Sequence, residues 1–309
     1  MNLHMKVAFL FPGQGAQAVG MGKELYEQVP AARALFDRAD AVLGIPLTTL
    51  CFEGPAEALE ATDVSQPAIY VSSLAALEDL KAREPDLVAS AAGSAGLSLG
   101  EYTALTFAGA IDFEDGLRIV RRRGEAMQAA ALATPSGMTS VLGLDESKVD
   151  ELIARVASDF GATIWKANML CPGNIVVSGE KGALAHIEPI ATELGAMKVV
   201  PLAVAGAFHT DLMKPADDQL AEVLAAADLK PPRIPVYSNV TGAPHGEDLD
   251  AIRKALAIQV TRGVLWEASM RRMMADGFDT FFEIGPGRVL TGLLKRIDRK
   301  TPCTSVPAR

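Results

Sequence analysis

The chain has 309 residues, 49% of them hydrophobic and 22% charged, a composition too apolar for a disordered chain and free of collagen-like or mucin-like bias. With 29 Lys+Arg against 38 Asp+Glu its formal charge is −9, which argues against a nucleic-acid binder, a class that carries a basic excess. Its three cysteines, Cys51, Cys171 and Cys303, are widely spaced and form no Cys-x-x-Cys, so neither a disulfide framework nor a zinc site is expected, in keeping with a reducing compartment.

Residues 7–11, Val-Ala-Phe-Leu-Phe, read as a buried first strand; the run is too short for a signal peptide. No stretch approaches the ~18 apolar residues of a membrane span, and a cytoplasmic protein is expected. After Pro12-Gly13-Gln14-Gly15 comes a helix over 21–28. Residues 30–83 are mostly helical, with breaks at Gly44-Ile45-Pro46 and Gly54-Pro55. A second short strand is predicted to begin at 86–89 and to run through the small residues 90–95 into Gly96. Helices follow over 101–110 and 113–132. From Pro135 the texture changes to strand 138–144, amphipathic helix 146–160, strands 162–165 and 175–177, helix 182–194 and strand 197–204. Strand–helix–strand–strand–helix–strand is the split βαβ, ferredoxin-like order, read as a small domain (133–205) inserted into a larger one (1–132 and 206–309). The larger part resumes with helix 213–227, strand 236–240, more helix and strand 278–284. Alternation of this kind predicts an α/β class with a parallel sheet.

Gly96-Leu97-Ser98-Leu99-Gly100 matches Gly-x-Ser-x-Gly between a strand and a helix. Glycines flank a serine where the turn is too sharp for neighbouring side chains, and the turn lifts the hydroxyl toward free N–H groups at a helix N-terminus. The competing reading is a tight turn with a structural serine. A serine nucleophile needs a base, and four histidines are available. His4 is at the terminus, His186 inside a helix of the inserted segment, and His245 in what reads as an exposed loop, Gly242-Ala-Pro-His-Gly246. His209 follows an apolar run at a strand end, where α/β folds place functional side chains; elimination favours it, against the commoner structural histidine.

Two glycine turns also follow strands. Gly13-x-Gly15-x-x-Ala18 fits a dinucleotide fingerprint, with Asp37 or Asp40 as the ribose acid, or a turn offering N–H groups to a ligand oxygen. No Gly-Lys-Ser/Thr follows, which excludes a P-loop. Glu283-Ile-Gly285-Pro-Gly287 reads the same way, with plain turn chemistry as the alternative. Arg121-Arg122-Arg123 sits in an apolar-striped helix. Consecutive helical residues point ~100° apart, so the three cannot share one environment. Either they form a solvated face, or one turns inward to grip a carboxylate.

Together these blocks resemble the malonyl-CoA:acyl carrier protein transacylase family (FabD type). The likeness runs through Phe11-Pro-Gly-Gln-Gly15, Ser65-Gln66-Pro67-Ala68, Gly96-Leu-Ser-Leu-Gly-Glu-Tyr102, Arg123-Gly124, Pro172-Gly173-Asn174-Ile-Val-Val-Ser-Gly179, Gly206-Ala-Phe-His209, Asn239-Val-Thr-Gly242, Gln259 and Glu283-Ile-Gly-Pro-Gly287. The ordered set covers nearly the whole chain. The resemblance implies an α/β-hydrolase-like large domain with an inserted ferredoxin-like domain. It implies Ser98 as the acyl-accepting nucleophile, His209 as its base, and the main-chain N–H groups of Gln14 and Leu99 as the oxyanion hole. Arg123 is implied as the carboxylate clamp, Gln259 as the residue whose carbonyl orients the histidine, and Asn168 as part of the pantetheine path. Malonyl-CoA and acyl carrier protein are the implied substrates, exchanged through an acyl-serine. No cofactor, metal, nucleic acid or membrane is implied, and a monomer is expected.

The chain departs from the family pattern in places. Leu97 stands where the family usually has histidine, the small-residue run 90–95 is longer than the usual approach to the serine, and the segment 259–266 lacks the proline often found before the tryptophan. Phe208 resembles the malonyl-selective pattern rather than the serine of methylmalonyl-selective relatives. Carrier proteins are acidic, as this chain is, so a local basic patch is expected from Arg118, Arg121, Arg122, Lys295, Arg296, Arg299 and Lys300, unless these are ordinary solvated charges. The rival functions are an acyltransferase serving a polyketide synthase, a serine hydrolase on the same Ser98–His209 pair, and an NAD-binding protein resting on the first glycine turn.

Overall fold

The computed structural model describes residues 5–309; His4 lies outside them. The five-residue run of large apolar side chains becomes β1 (Val7–Phe11), buried along its whole length. Such a strand must be covered on both faces, and it lies at the centre of a five-stranded sheet. β2 (Ala91–Gly96) and β7 (Val236–Tyr237) lie on one side of it, β8 (Thr280–Gly285) and β9 (Cys303–Pro307) on the other, all parallel. Side chains alternate along a strand, and the two layers follow from that. Val7, Phe9 and Phe11 enter the core formed with the helices Thr62–Arg83 and Phe113–Ala133. Ala8 and Leu10 enter a second core with Trp266, Met270, Met273, Leu290 and Leu294 from the helices Trp266–Ala275 and Val289–Ile297. Truncating a ring such as Phe9 there costs about 3–5 kcal/mol.

The second sheet is antiparallel, in the order β4 (Ile164–Cys171), β5 (Asn174–Glu180), β3 (Ser136–Leu142), β6 (Lys198–Pro201). Its core joins Val141, Ile164, Ile175 and Val177 to Val149, Leu152 and Val156 of the helix Glu146–Phe160 and to Ile187 and Ile190. This is the ferredoxin-like order, and the strands of the parallel sheet come from both sides of it in the chain.

The elements differ from expectation where local chemistry overrides apolar character. Residues 86–89 are not strand. Pro85 at the first helical position and Asp86 in the first turn start the helix Pro85–Ser90, and β2 begins only at Ala91. The expected helix 182–194 is two short ones, Lys181–Leu184 and Ile187–Glu193. Pro189 cannot donate to the Ala185 carbonyl, so one continuous helix would break there. β7 ends at Tyr237 because the chain turns back along it, with Ser238 N–H donating to Ala243 O and His245 N–H to Val236 O. The edge strand β9 went unpredicted. No helix among the described residues is long and apolar enough to cross a membrane.

Candidate active site

β1 and β2 run side by side with Phe11 opposite Gly96. The loops that follow them therefore leave the sheet at one edge, where open parallel sheets bind ligands. Leu97 N–H donates to Phe11 O at 3.0 Å and ties the two loops together. Between β2 and the helix Gly100–Phe107 the chain reverses at Ser98, which takes φ 50° in the left-handed region that side chains rarely adopt. Only glycines fit beside it. A Cβ on Gly96 would lie 1.9 Å from the Gly100 carbonyl, and one on Gly100 would lie 2.1 Å from Phe11 O. Asn239 braces the turn, its Oδ1 accepting from Ser98 N–H at 2.6 Å and its Nδ2 donating to Gly96 O at 2.8 Å.

Ser98 Oγ is 3.0 Å from His209 Nε2, and His209 Nδ1 is 2.8 Å from Gln259 O. A carbonyl only accepts, so Nδ1 carries the proton and Nε2 is the free acceptor facing the hydroxyl. His209 also has a left-handed backbone, φ 62°. Burial, and after it the positive charge of Arg123, push its pKa down from 6.5 to about 4, so the ring is neutral at pH 7.

Of the three adjacent arginines only Arg123 turns inward. Arg121 pairs with Asp63 and Glu125, Arg122 with Glu125, and Arg118, a turn earlier, with Asp115. Arg123 is 1% exposed and makes no ion pair among the described residues. Its Nη1 donates to Gln66 Oε1 at 2.7 Å, and its Nη2 donates to Gln259 Oε1 at 2.8 Å and to Ser98 Oγ at 2.9 Å. Nε has no hydrogen-bond partner among the described residues, and the guanidinium lies 5.4 Å over the Tyr102 ring. Burial holds its pKa below the ordinary arginine value. A buried cation without an ion-pair partner is costly, and here it sits against the Ser98 hydroxyl, which also faces the His209 imidazole.

The remaining candidates are distributed around this centre. Gln14 lies in the loop after β1 and Leu99 at the start of the helix Gly100–Phe107, and their main-chain N–H groups donate to no acceptor among the described residues. Gln259 belongs to the centre through its backbone, as above, and also through its side chain. Asn168 lies at an irregularity of β4, bridged to Val264 in the segment after Gln259, with a buried Oδ1 that has no hydrogen-bond partner among the described residues. No hydrogen bond joins Asn168 to Ser98, His209 or Arg123.

Four residues assigned no chemical role from sequence complete the arrangement. Gln66 and Asn239 are described above. Glu101, buried in the helix after Ser98, accepts from Asn239 N–H at 3.0 Å and Gln259 Nε2 at 2.6 Å with one oxygen, and from His245 Nε2 at 2.7 Å with the other. His245 is therefore not in an exposed loop: the loop folds back on β7 and its side chain is 4% exposed. His186 lies between the two short helices of the second sheet, stacked 3.7 Å from the Phe160 ring.

The other motifs resolve into turn chemistry. The first helix after Gly15 starts only at Lys23, so the glycine turn lacks the helix N-terminus that a dinucleotide fingerprint needs. Asp37 accepts from the Tyr26 hydroxyl and Asp40 from Thr48 N–H. Glu283 accepts from the N–H groups of Leu290 and Thr291 and so caps the helix Val289–Ile297.

A family model described as an acyl transferase domain matches residues 8–308. The chain is 45% identical over 303 residues to a malonyl CoA-acyl carrier protein transacylase of Bacillus subtilis, covering 97% of this chain and 93% of the relative. The solved acyl-carrier-protein-S-malonyltransferase from Bartonella henselae is similar, with a TM-score of 0.93 at 39% identity over 98% of this chain and 95% of that one. So is the malonyl-transacylase solved in complex with its type II PKS acyl-carrier protein, with a TM-score of 0.91 at 36% identity, covering 98% of this chain and 95% of that one.

Proposed function

The chain belongs to the acyl transferase family, among the malonyl CoA-acyl carrier protein transacylases, and from that premise we propose how Ser98, His209 and Arg123 carry out its reaction. The chain transfers a malonyl group from malonyl-CoA to the pantetheine thiol of acyl carrier protein, for fatty acid biosynthesis. Ser98 Oγ attacks the thioester carbon while His209 Nε2 takes its proton. The N–H groups of Gln14 and Leu99 hold the oxyanion; one such donor is worth roughly 2.7–4 kcal/mol of barrier. The C–S bond breaks, coenzyme A leaves with the proton from His209, and malonyl-Ser98 remains. The carrier's thiol then gives its proton to His209, its sulfur attacks the ester carbon, and Ser98 departs with that proton. Thioester, oxyester and thioester are close in energy, so the exchange needs neither cofactor nor metal. Gln259 O keeps the imidazole in the reactive tautomer, and Asn168 contributes to the pantetheine path.

One observation carries the reading: a buried guanidinium that makes no ion pair among the described residues, 2.9 Å from the Ser98 hydroxyl oxygen. A malonyl carboxylate supplies the missing charge and sets its own thioester beside Ser98. A neutral acyl chain leaves the cation unpaired.

The carrier's acidic surface needs cations that are not already neutralised. Arg118, Arg121 and Arg122 are spent on carboxylates, whereas Lys295, Arg296 and Arg299 make no ion pair among the described residues and line a concavity of about 450 Å³ with Pro172 and Gly292. Lys198 and the exposed Met197 border the adjoining hollow. This face is the proposed carrier-docking surface, with Lys300 at its margin. The enzyme is proposed to act as a cytoplasmic monomer, away from membranes and nucleic acid.

Intact-protein mass spectrometry after brief exposure to malonyl-CoA tests the reading. The chain should gain one malonyl group, Ser98→Ala none, and holo acyl carrier protein should discharge it. A malonylated Ser98→Ala protein, or release only to water, refutes the assignment.

A further inference from the structure

We infer that Glu101 and His245 are positioning residues of the acyl-transfer site, which set the side-chain orientation of Gln259 and through it the pose of Arg123. A primary amide has a donor end and an acceptor end, and its surroundings decide which faces where. Gln259 Nε2 lies 2.6 Å from Glu101 Oε2 and 3.1 Å from Ser98 O, both acceptors. Its Oε1 therefore faces Arg123 Nη2, at 2.8 Å. Reversing the amide would set oxygen against carboxylate and N–H against guanidinium, two repulsive contacts in place of two attractive ones.

The orientation holds only while Glu101 is an acceptor fixed in place. Its carboxylate is 1% exposed, and a buried carboxylate is tolerable only when its lone pairs are matched. Asn239 N–H and Gln259 Nε2 match one oxygen, and His245 Nε2 alone matches the other. His245 is brought there by the turn after β7, so donors at 239, 245 and 259 converge on a carboxylate from a far earlier part of the chain. Arg123 in turn is gripped by Gln66 Oε1 and Gln259 Oε1, which together aim the guanidinium at the serine. If the Gln259 end of that grip is lost, the cation no longer meets a malonyl carboxylate squarely. An acetyl group has no charge to pair with the cation, so its rate does not fall when that pose is lost.

The inference rests on the malonyl-transfer reading, which labelling of the wild-type chain decides separately. The measurement is kcat/KM for Ser98 acylation by malonyl-CoA and by acetyl-CoA. Glu101→Gln is expected to lower the malonyl-to-acetyl ratio about tenfold, and His245→Leu about threefold, each having lost a hydrogen-bonded ionic contact or its support. His245→Gln, whose amide N–H replaces the imidazole donor, restores the ratio. In a Gln259→Met background, Glu101→Gln changes the ratio no further, because the path runs through that amide. If Glu101→Gln does not fold, His245→Leu against His245→Gln decides the question. An unchanged ratio with both rates falling alongside the melting temperature would mean the pair only stabilises the fold. Full additivity with Gln259→Met would also overturn the inference.

Discussion

Arg123→Ala separates charge recognition from nucleophile chemistry. In the wild type the guanidinium already donates to Gln66 Oε1, Gln259 Oε1 and Ser98 Oγ. A bound malonyl carboxylate would add two charge-assisted hydrogen bonds to a guanidinium that is itself 1% exposed. At about 1.5–3 kcal/mol each, these amount to roughly 3–6 kcal/mol, less what water in the vacated space returns. A net loss of about 3 kcal/mol corresponds to roughly a hundredfold fall in kcat/KM for malonyl-CoA. Acetyl-CoA reports the opposite balance, since its acyl group must lie against an unpaired cation in the wild type and meets none in the variant. Acetyl transfer should hold or rise. Competing the two thioesters for one protein sample and reading the acyl-serine by mass gives both values at once. The acetyl arm also controls for the lost Arg123–Ser98 contact: if that contact drives the attack, both acyl groups slow together. Equal slowing of both, or malonyl transfer at the wild-type rate, would refute the clamp.

Four further outcomes follow from the structure. Because His209 titrates at about 4 in the folded chain against 6.5 ordinarily, the acid limb of kcat/KM should lie near pH 4, and Arg123→Ala should move it toward neutrality; a wild-type limb at 6.5 would contradict the burial argument. The unfolded chain takes up that proton first, so stability should fall as pH drops from 6.5 toward 4, by up to about 3 kcal/mol, which urea melts across that range would measure. Asn239→Ala, which removes the acceptor of Ser98 N–H and the donor to Gly96 O, should lower stability by about 2–4 kcal/mol and acylation by tenfold or more; thermal melts and stopped-flow acylation check it, and a wild-type rate would show that the turn holds itself. Lys295→Glu with Arg299→Glu should raise KM for acyl carrier protein about tenfold while leaving Ser98 acylation by malonyl-CoA unchanged, as should added salt; an unaltered KM would move docking elsewhere.

Much of this site is local and therefore legible in the sequence. Ser98 announces itself because a strand, a turn too tight for side chains and a helix are consecutive in the chain. His209 follows from its place at the end of an apolar run. The choice among three arginines looked open, yet helical phase contained the answer: Arg123 shares the face of Val120 and Met127, both buried, at spacings of three and four. The roles of Glu101 and His245 were not legible. A charged residue beside a serine turn reads as solvated, and a histidine between proline and glycine reads as loop. Their burial depends on where β7 stops and how the chain folds back along it, which no local pattern encodes. The helix Pro85–Ser90 shows the reverse error, apolar character read as strand where a proline and an acid in the first turn dictated helix.

The partner of His209 Nδ1 is a main-chain carbonyl and not a carboxylate, and the buried arginine explains why that suits the proposed reaction. The same Gln259 that offers this carbonyl also meets Arg123 through its side chain, so a free acid in its place would be drawn to pair with the guanidinium. The clamp would then be neutralised before any substrate arrived, and selectivity for a dicarboxylic acyl group would be lost. The carboxylate that does lie nearby, Glu101, is kept from that pairing by donors on both of its oxygens. A neutral carbonyl still fixes the tautomer, and it leaves the guanidinium's charge for the substrate. The cost falls on the imidazolium formed during attack, which meets a nearby cation and no balancing anion. The malonyl carboxylate offsets that cation once it binds Arg123. Base strength at His209 should therefore rise when a dicarboxylic acyl group is bound, and the acid limb of kcat, which reports the bound complex, should lie above that of kcat/KM for malonyl-CoA but not for acetyl-CoA. Coincident limbs for malonyl-CoA would show that the carboxylate does not neutralise Arg123 in the complex.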